Sequence, residues 1–150
     1  MPVIVVGADT PIGAEIIAEL AGYAGEVRAF ITDPAPADRF RRMGCKVAMG
    51  DLSDGSHLEI AAFECFTAVL IAEAAGDRRE RSFADTPERV AAAWMEAVRD
   101  AGVARLIWIG SDSLPEPPDP AVCPEVAVLA ADEQGVTQEV ARLNELETLD

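Results

Sequence analysis

Apolar residues gather in five short runs, at 3–6, 26–31, 46–50, 67–72 and 104–110. Runs of this length, apolar almost throughout, fit strands covered on both faces, as in a parallel sheet. Between them the apolar positions return every three or four residues. Ile12, Ile16, Leu20 and Tyr23 share one face of a helix that opens near Pro11, a favoured first-turn position. "PAPADRFRRMG" (34–44) reads as a proline-marked turn, a short basic helix and a glycine stop. Ser56-His57-Leu58-Glu59 has capping-box form and predicts a helix to about Phe63. Thr86-Pro87 opens the best amphipathic helix, with Val90, Ala91, Trp94, Met95 and Val98 on its stripe and Gly102 at its end. A last helix is expected over 137–149, with Leu143 and Leu146 on a thin apolar edge.

Strands alternating with helices predict an α/β domain over residues 1–150, a doubly wound parallel sheet of five strands in order 3-2-1-4-5. Ligands of such sheets bind where the order reverses, here between the first and fourth strands. Residues 111–124 hold five of the ten prolines and are expected to form a loop. The fifth strand would then lie near a sheet edge, and exposed edges invite pairing. A homodimer is the expected consequence.

Charge narrows the partners. The chain has 27 acidic and 12 basic residues and a net charge of −15, so nucleic acid is excluded as an expected ligand. Cys45, Cys65 and Cys123 form no CxxC pair, which argues against a metal or a disulfide framework. No apolar run nears the roughly 20 residues that span a bilayer. "MPVIVVG" lacks a basic leader and reads as a strand, not a signal peptide. A cytoplasmic protein with reduced, buried cysteines is expected.

The chemistry concentrates in "VVGADTPIGAEI" (5–16). A strand that runs into Gly7 and opens a helix is the form of a turn that cradles a dinucleotide. Thr10 stands as an N-cap, with Pro11 at the first helical position. Its hydroxyl would accept a hydrogen bond from the amide of Ile12 or Gly13, the donors an anion would use. Pro11 removes a further donor, and Asp9 adds a negative charge. Two readings stay open: a working phosphate loop, or one satisfied by its own cap. Asp33 ends the second strand twenty residues beyond Gly13. An acid there bonds adenine-ribose hydroxyls and repels a 2′-phosphate, favouring NAD over NADP; its other reading is the start of a proline turn. Arg39, Arg41 and Arg42 stand on the next helix. Arg78, Arg79 and Arg81 form a basic cluster, read as a salt-bridged loop or a partner contact.

Several landmarks occur in order: the strand–GxxxxxG–helix at 3–20, "VRAFITDP" (27–34), "MGDLSD" (49–54) and "ARLIWIGSDS" (104–113). Together they resemble the NmrA-like branch of the atypical short-chain dehydrogenase/reductase superfamily, which implies a Rossmann-like fold and an NAD(P) site. "EVARLNELE" (139–147) resembles the helix that precedes the sixth strand of that family, so the sixth strand and the substrate-binding C-terminal region are expected to be absent. The family's loop is GxxGxxG; here Gly7 and Gly13 match and Thr10 replaces the middle glycine. The resemblance implies that Thr32 lies where NADP-preferring relatives carry arginine. It also implies that Asp51, with Leu52 after it, contacts the adenine, and that Ala72 and Glu73 border the crevice. Reductases of the superfamily use a serine after the fifth strand, where Ser111 and Ser113 stand, and a Tyr-x-x-x-Lys on the next helix. The only tyrosine is Tyr23 and the only lysine is Lys46, so that dyad is absent and no catalytic residue is assigned. His57, the single histidine, reads as a surface residue at a helix start.

Two functions are expected to compete. One is a non-catalytic NAD(P)-binding or sensing protein. The other is a scaffold that keeps the fold with a degenerate phosphate loop and works by docking a partner. A reductase using other residues ranks third, because no proton donor is apparent.

Overall fold

A computed structural model describes residues 1–77, 79, 81–111 and 115–149. Its core is one parallel sheet of six strands: β1 (Val3–Val6), β2 (Val27–Ile31), β3 (Lys46–Met49), β4 (Thr67–Ile71), β5 (Arg105–Gly110) and β6 (Glu125–Ala130). The order is β3-β2-β1-β4-β5-β6, so direction of growth reverses between β1 and β4 as expected. Side chains of β1 alternate between two cores. Ile4 and Val6 join the cluster of Leu58, Trp94 and Trp108, whereas Val3 and Val5 join that of Ile16, Phe40 and Val140. Burial on both faces is why these strands are nearly continuous in apolar residues.

The expected count of five strands is corrected to six. "EVAVLA" pairs in register with β5 from Arg105↔Glu125 to Gly110↔Ala130. Its outer position leaves Val128 52% exposed, and although residues 126–131 are apolar throughout, they follow the proline-rich stretch 111–124, which masks them as part of a loop. The final helix, α6 (Val136–Glu145), therefore follows the sixth strand rather than preceding it, and packs on α1 (Pro11–Leu20). Strand β5 is paired on both sides, which removes the open β5 edge from which a dimer was argued.

Helix α2 (Ala37–Arg42) stops before Gly44, whose φ of +92° only glycine adopts freely. Helix α3 (Gly55–Ala62) begins earlier than the Ser56 box suggested. Asp54 is its N-cap, accepting from the His57 amide at 3.2 Å. A short helix, α4 (Ala72–Gly76), follows β4 directly. Helix α5 (Pro87–Asp100) is capped by Thr86 as read, and Trp94 on its buried stripe donates to the Leu52 carbonyl at 2.8 Å. The three cysteines are free and buried, and burial pushes the Cys65 thiol up to about 11.

The end of the sheet remote from the expected crevice is tied by Arg105, whose side chain is fully buried. It pairs with Glu125 at 3.0 Å, donates to the carbonyls of Leu143 and Leu146 at 2.6 and 2.7 Å, and lies over the Phe66 ring. This one cation joins β5, β6 and the end of α6. The Leu149 amide and Arg105 hold the Glu125 carboxyl below its ordinary range despite partial burial. Its contribution is present above the ordinary glutamate pKa of about 4.3 and is lost as pH falls through the lowered folded value. Breaking the pair leaves Arg105 buried without its counter-charge, so Glu125→Ala should cost about 3 kcal/mol in urea unfolding at neutral pH, and less in acid.

Candidate functional site

The β1–α1 loop is built by two glycines and a threonine. Gly7 has φ +88°, and a Cβ there would lie 2.7 Å from the Ala74 Cβ. A Cβ on Gly13 would lie 2.2 Å from the Gly7 carbonyl oxygen. Both positions therefore demand glycine, one for backbone conformation and α4 contact, the other for close approach of helix to strand. Thr10 is the N-cap of α1 and is buried. Its Oγ1 accepts from the Gly13 amide at 3.0 Å and donates to the Gly7 carbonyl at 2.7 Å. The Ala14 amide is taken by the Thr10 carbonyl at 2.9 Å, and Pro11 has no amide hydrogen. Among the described residues, Ile12 carries the one first-turn amide to which no partner falls.

Asp9 is the centre of the site. Its side chain is only 1% exposed. Oδ2 accepts from the amides of Thr32 and Asp33, both at 2.9 Å, and Oδ1 accepts from Arg79 at 2.7 Å. Arg79 also clasps Asp77 through Nε, at 2.7 and 2.8 Å. Burial works against its charge, but the Asp77 and Asp9 carboxylates hold its pKa above the ordinary value. Asp51 accepts from the Ser53 amide at 2.8 Å, from the Ser53 hydroxyl, and from the Ser82 amide at 2.7 Å. Burial raises its pKa, yet these hydrogen bonds bring it below the ordinary aspartate value. The Ser53 hydroxyl oxygen in turn accepts from the Phe83 amide at 2.9 Å.

The structure thus brings Gly7, Asp9, Thr10, Pro11, Ile12, Gly13, Thr32, Asp33 and Asp51 to the C-terminal ends of β1, β2 and β3. Thr32 donates to the Gly50 carbonyl at 3.0 Å. Asp33 is exposed and accepts from the Ala35 amide at 3.0 Å, the proline-turn geometry. Leu52 and Ala72 are fully buried, so their side chains are core rather than contact surface. Ser111 is exposed at the end of β5. Ser113 and Arg78 lie outside the described residues. A cavity of about 740 Å³ opens beside the ends of β5 and β6, against Gly110, Ser111, Pro115 and Ala130, but it does not touch Gly7–Gly13, Thr32, Asp33 or Asp51.

Sequence reasoning did not find Ala74, Asp77, Ser82 and Phe83 as parts of this site. The arginine cluster was the visible signal. Its salt-bridged reading holds for Arg79, but the partner Asp9 is seventy positions away in the chain.

Residues 7–138 match the profile of the NAD(P)H-binding family. The chain belongs to that family. No curated protein sequence matches it. Among solved structures, the Citrobacter sp. triphenylmethane reductase superposes with a TM-score of 0.62 at 21% identity, over 74% of this chain and 37% of that one. The same reductase complexed with NADP(H) gives 0.61 at 23%, over 74% and 38%. The anaerobillin reductase of Escherichia coli O157:H7 gives 0.57 at 20%, over 74% and 51%. At these identities the likeness is one of fold. The chain spans between 37% and 51% of the length of these structures.

The fit of a dinucleotide to this NAD(P)H-binding domain is specific about its obstacles. The two glycines shape the turn, with the space a Cβ would take filled by Ala74 and by the Gly7 carbonyl. The Gly13 amide, the Asp9 carboxylate and the Asp51 carboxylate are already engaged by the chain itself. In the described conformation the donor set does not accommodate a pyrophosphate and adenosine without rearrangement. Among the described residues no cluster of His, Cys, Asp and Glu suits a metal ion, and no helix is long and apolar enough to cross a membrane.

Removing the cap hydroxyl tests the local half of this description. Thr10→Ala should lower stability by about 1 kcal/mol in urea unfolding. Gly7→Ala should cost more, because it adds backbone strain to a contact with Ala74 that cannot close further.

Proposed function

We infer that the protein is a non-catalytic NAD(P)-binding or nucleotide-sensing domain of the NmrA-like kind. The observation that supports this reading is the place of its two candidate proton-transfer groups. Tyr23 follows α1 and donates to the Met1 carbonyl at 2.8 Å. Lys46 opens β3 and pairs with Glu26 at 2.6 Å. Both sit at the N-terminal edge of a parallel sheet, whereas ligands of such sheets bind at the C-terminal edge. A tyrosine and a lysine this far from the crevice cannot share a proton with a substrate held there. Ser111 stands at the correct edge without either partner.

The exposed carboxylate of Asp33 at the end of β2, with Thr32 before it, supports NAD over NADP. Arg41, on the following helix, pairs with Asp38. A second reading, a scaffold that keeps the fold and docks a partner or a second copy of itself, is favoured by one specific observation: Thr10 and Asp9 spend their hydrogen bonds internally.

Calorimetric titration of NAD, NADH, NADP and NADPH separates these readings, with Thr10→Gly alongside wild type. Binding by wild type, tighter for the forms without a 2′-phosphate, is the expected result. Binding by Thr10→Gly alone would mean that the cap has closed the loop. Absence of heat with both proteins would contradict the dinucleotide reading and leave the scaffold.

A further inference from the structure

Resting on the dinucleotide reading above, we propose that Arg79 and residues 81–83 form an autoinhibitory strap, latched by Arg79 on Asp9, which leaves the crevice when an adenosine ribose with free hydroxyls takes its place.

Three contacts from this segment land on the groups that the crevice offers a ligand, and a fourth fastens the segment itself. Arg79 bonds the Asp9 carboxylate at the end of β1. The Ser82 amide bonds the Asp51 carboxylate after β3. The Phe83 amide bonds the Ser53 hydroxyl, which itself holds Asp51. Arg81 turns back to the Ala75 carbonyl and fastens the segment to the end of α4. These partners are spread over the ends of two strands on one side of the topological reversal, which is where the adenosine half of a dinucleotide lies in sheets of this order. The strap therefore competes with the ligand for the same acceptors.

Its own hold is limited. Apart from Arg79, 13% exposed by side chain, the strap gives little to the core: Ser82 is exposed, and Phe83, its one large apolar side chain, is 69% exposed. Segments with few buried apolar contacts open at low cost. The carboxylate left behind sets the chemistry of release. With the strap open, the Asp9 carboxylate must take a donor in place of Arg79, from water in the free protein or from a ligand in the complex. A ribose hydroxyl donates to a carboxylate oxygen. A 2′-phosphate brings only negative charge to it. The exchange is thus one donor for another at Asp9 Oδ1, with the strap's two amides returned to solvent.

Two substitutions weaken the latch from different sides. Arg79→Ala removes the cation. Ser82→Pro removes one backbone donor at an exposed position and leaves Asp9, Asp51 and Arg79 in place. Affinity for a closed site is reduced by the fraction open, so unlatching raises apparent affinity. With NADH titrated by calorimetry, and circular dichroism confirming that each variant is folded, both variants should bind about tenfold tighter than wild type, a gain that follows if the strap is closed about nine-tenths of the time. NADPH should show no comparable gain. Equal NADH affinity in all three proteins would overturn the strap while leaving the dinucleotide reading intact. A gain for NADPH as large as that for NADH would overturn the ribose exchange. No binding of NADH by any of the three would overturn the dinucleotide reading and the strap with it.

Discussion

The arrangement of the site depends on one buried carboxylate. An anionic group taken out of water costs several kcal/mol unless every oxygen finds a donor. Asp9 meets that demand with two backbone amides at the end of β2 and the guanidinium of Arg79. Three segments distant in sequence are thereby fixed to one another: the glycine loop, the end of β2, and the chain that follows α4. The same requirement explains why Arg79 turns back to the glycine loop rather than into solvent: among the described residues it is the one cation paired with Asp9.

The sheet supplies the setting. Parallel strands bring every β-to-α loop to one edge, and the reversal of order between β1 and β4 parts the flanking loops to make a crevice. Gly7 and Gly13 let the first helix pack close to its strand there. The opposite edge is held by another buried charge, Arg105, which ties the sixth strand and final helix to β5. Tyr23 and Lys46 are at that opposite edge as well. The fold therefore keeps the binding end of a dinucleotide domain and puts its tyrosine and lysine where they serve packing and ion pairing.

Features set by local physics were legible in the sequence. Thr10-Pro11 and Thr86-Pro87 announce two helix starts, because capping and first-turn chemistry act within four residues. The inner strands are legible because two-sided burial makes them apolar throughout. The edge strand β6 was not: residues 126–131 are apolar, but they follow the proline-rich stretch 111–124, which breaks the strand–helix alternation by which the other strands are read. Helix α4 is a single turn and leaves almost no periodicity to read. The Asp9–Arg79 and Asp51–Ser82 contacts were beyond reach for another reason: they are long-range, and which acid an arginine meets is decided by chain path and not by spacing. Asp33, the acid singled out from position, is exposed at the end of β2 and also accepts from the Ala35 amide in its own turn.

The most direct test of the account is amide hydrogen exchange of Ser82 and Phe83, followed by NMR while NAD is titrated into the wild-type protein. Both amides donate to groups of the crevice, so they should be protected in the free protein. The account predicts that their protection falls as resonances of Ile12 and Gly13 report binding at the loop. Saturation of Ile12 and Gly13 with Ser82 and Phe83 still protected would contradict it.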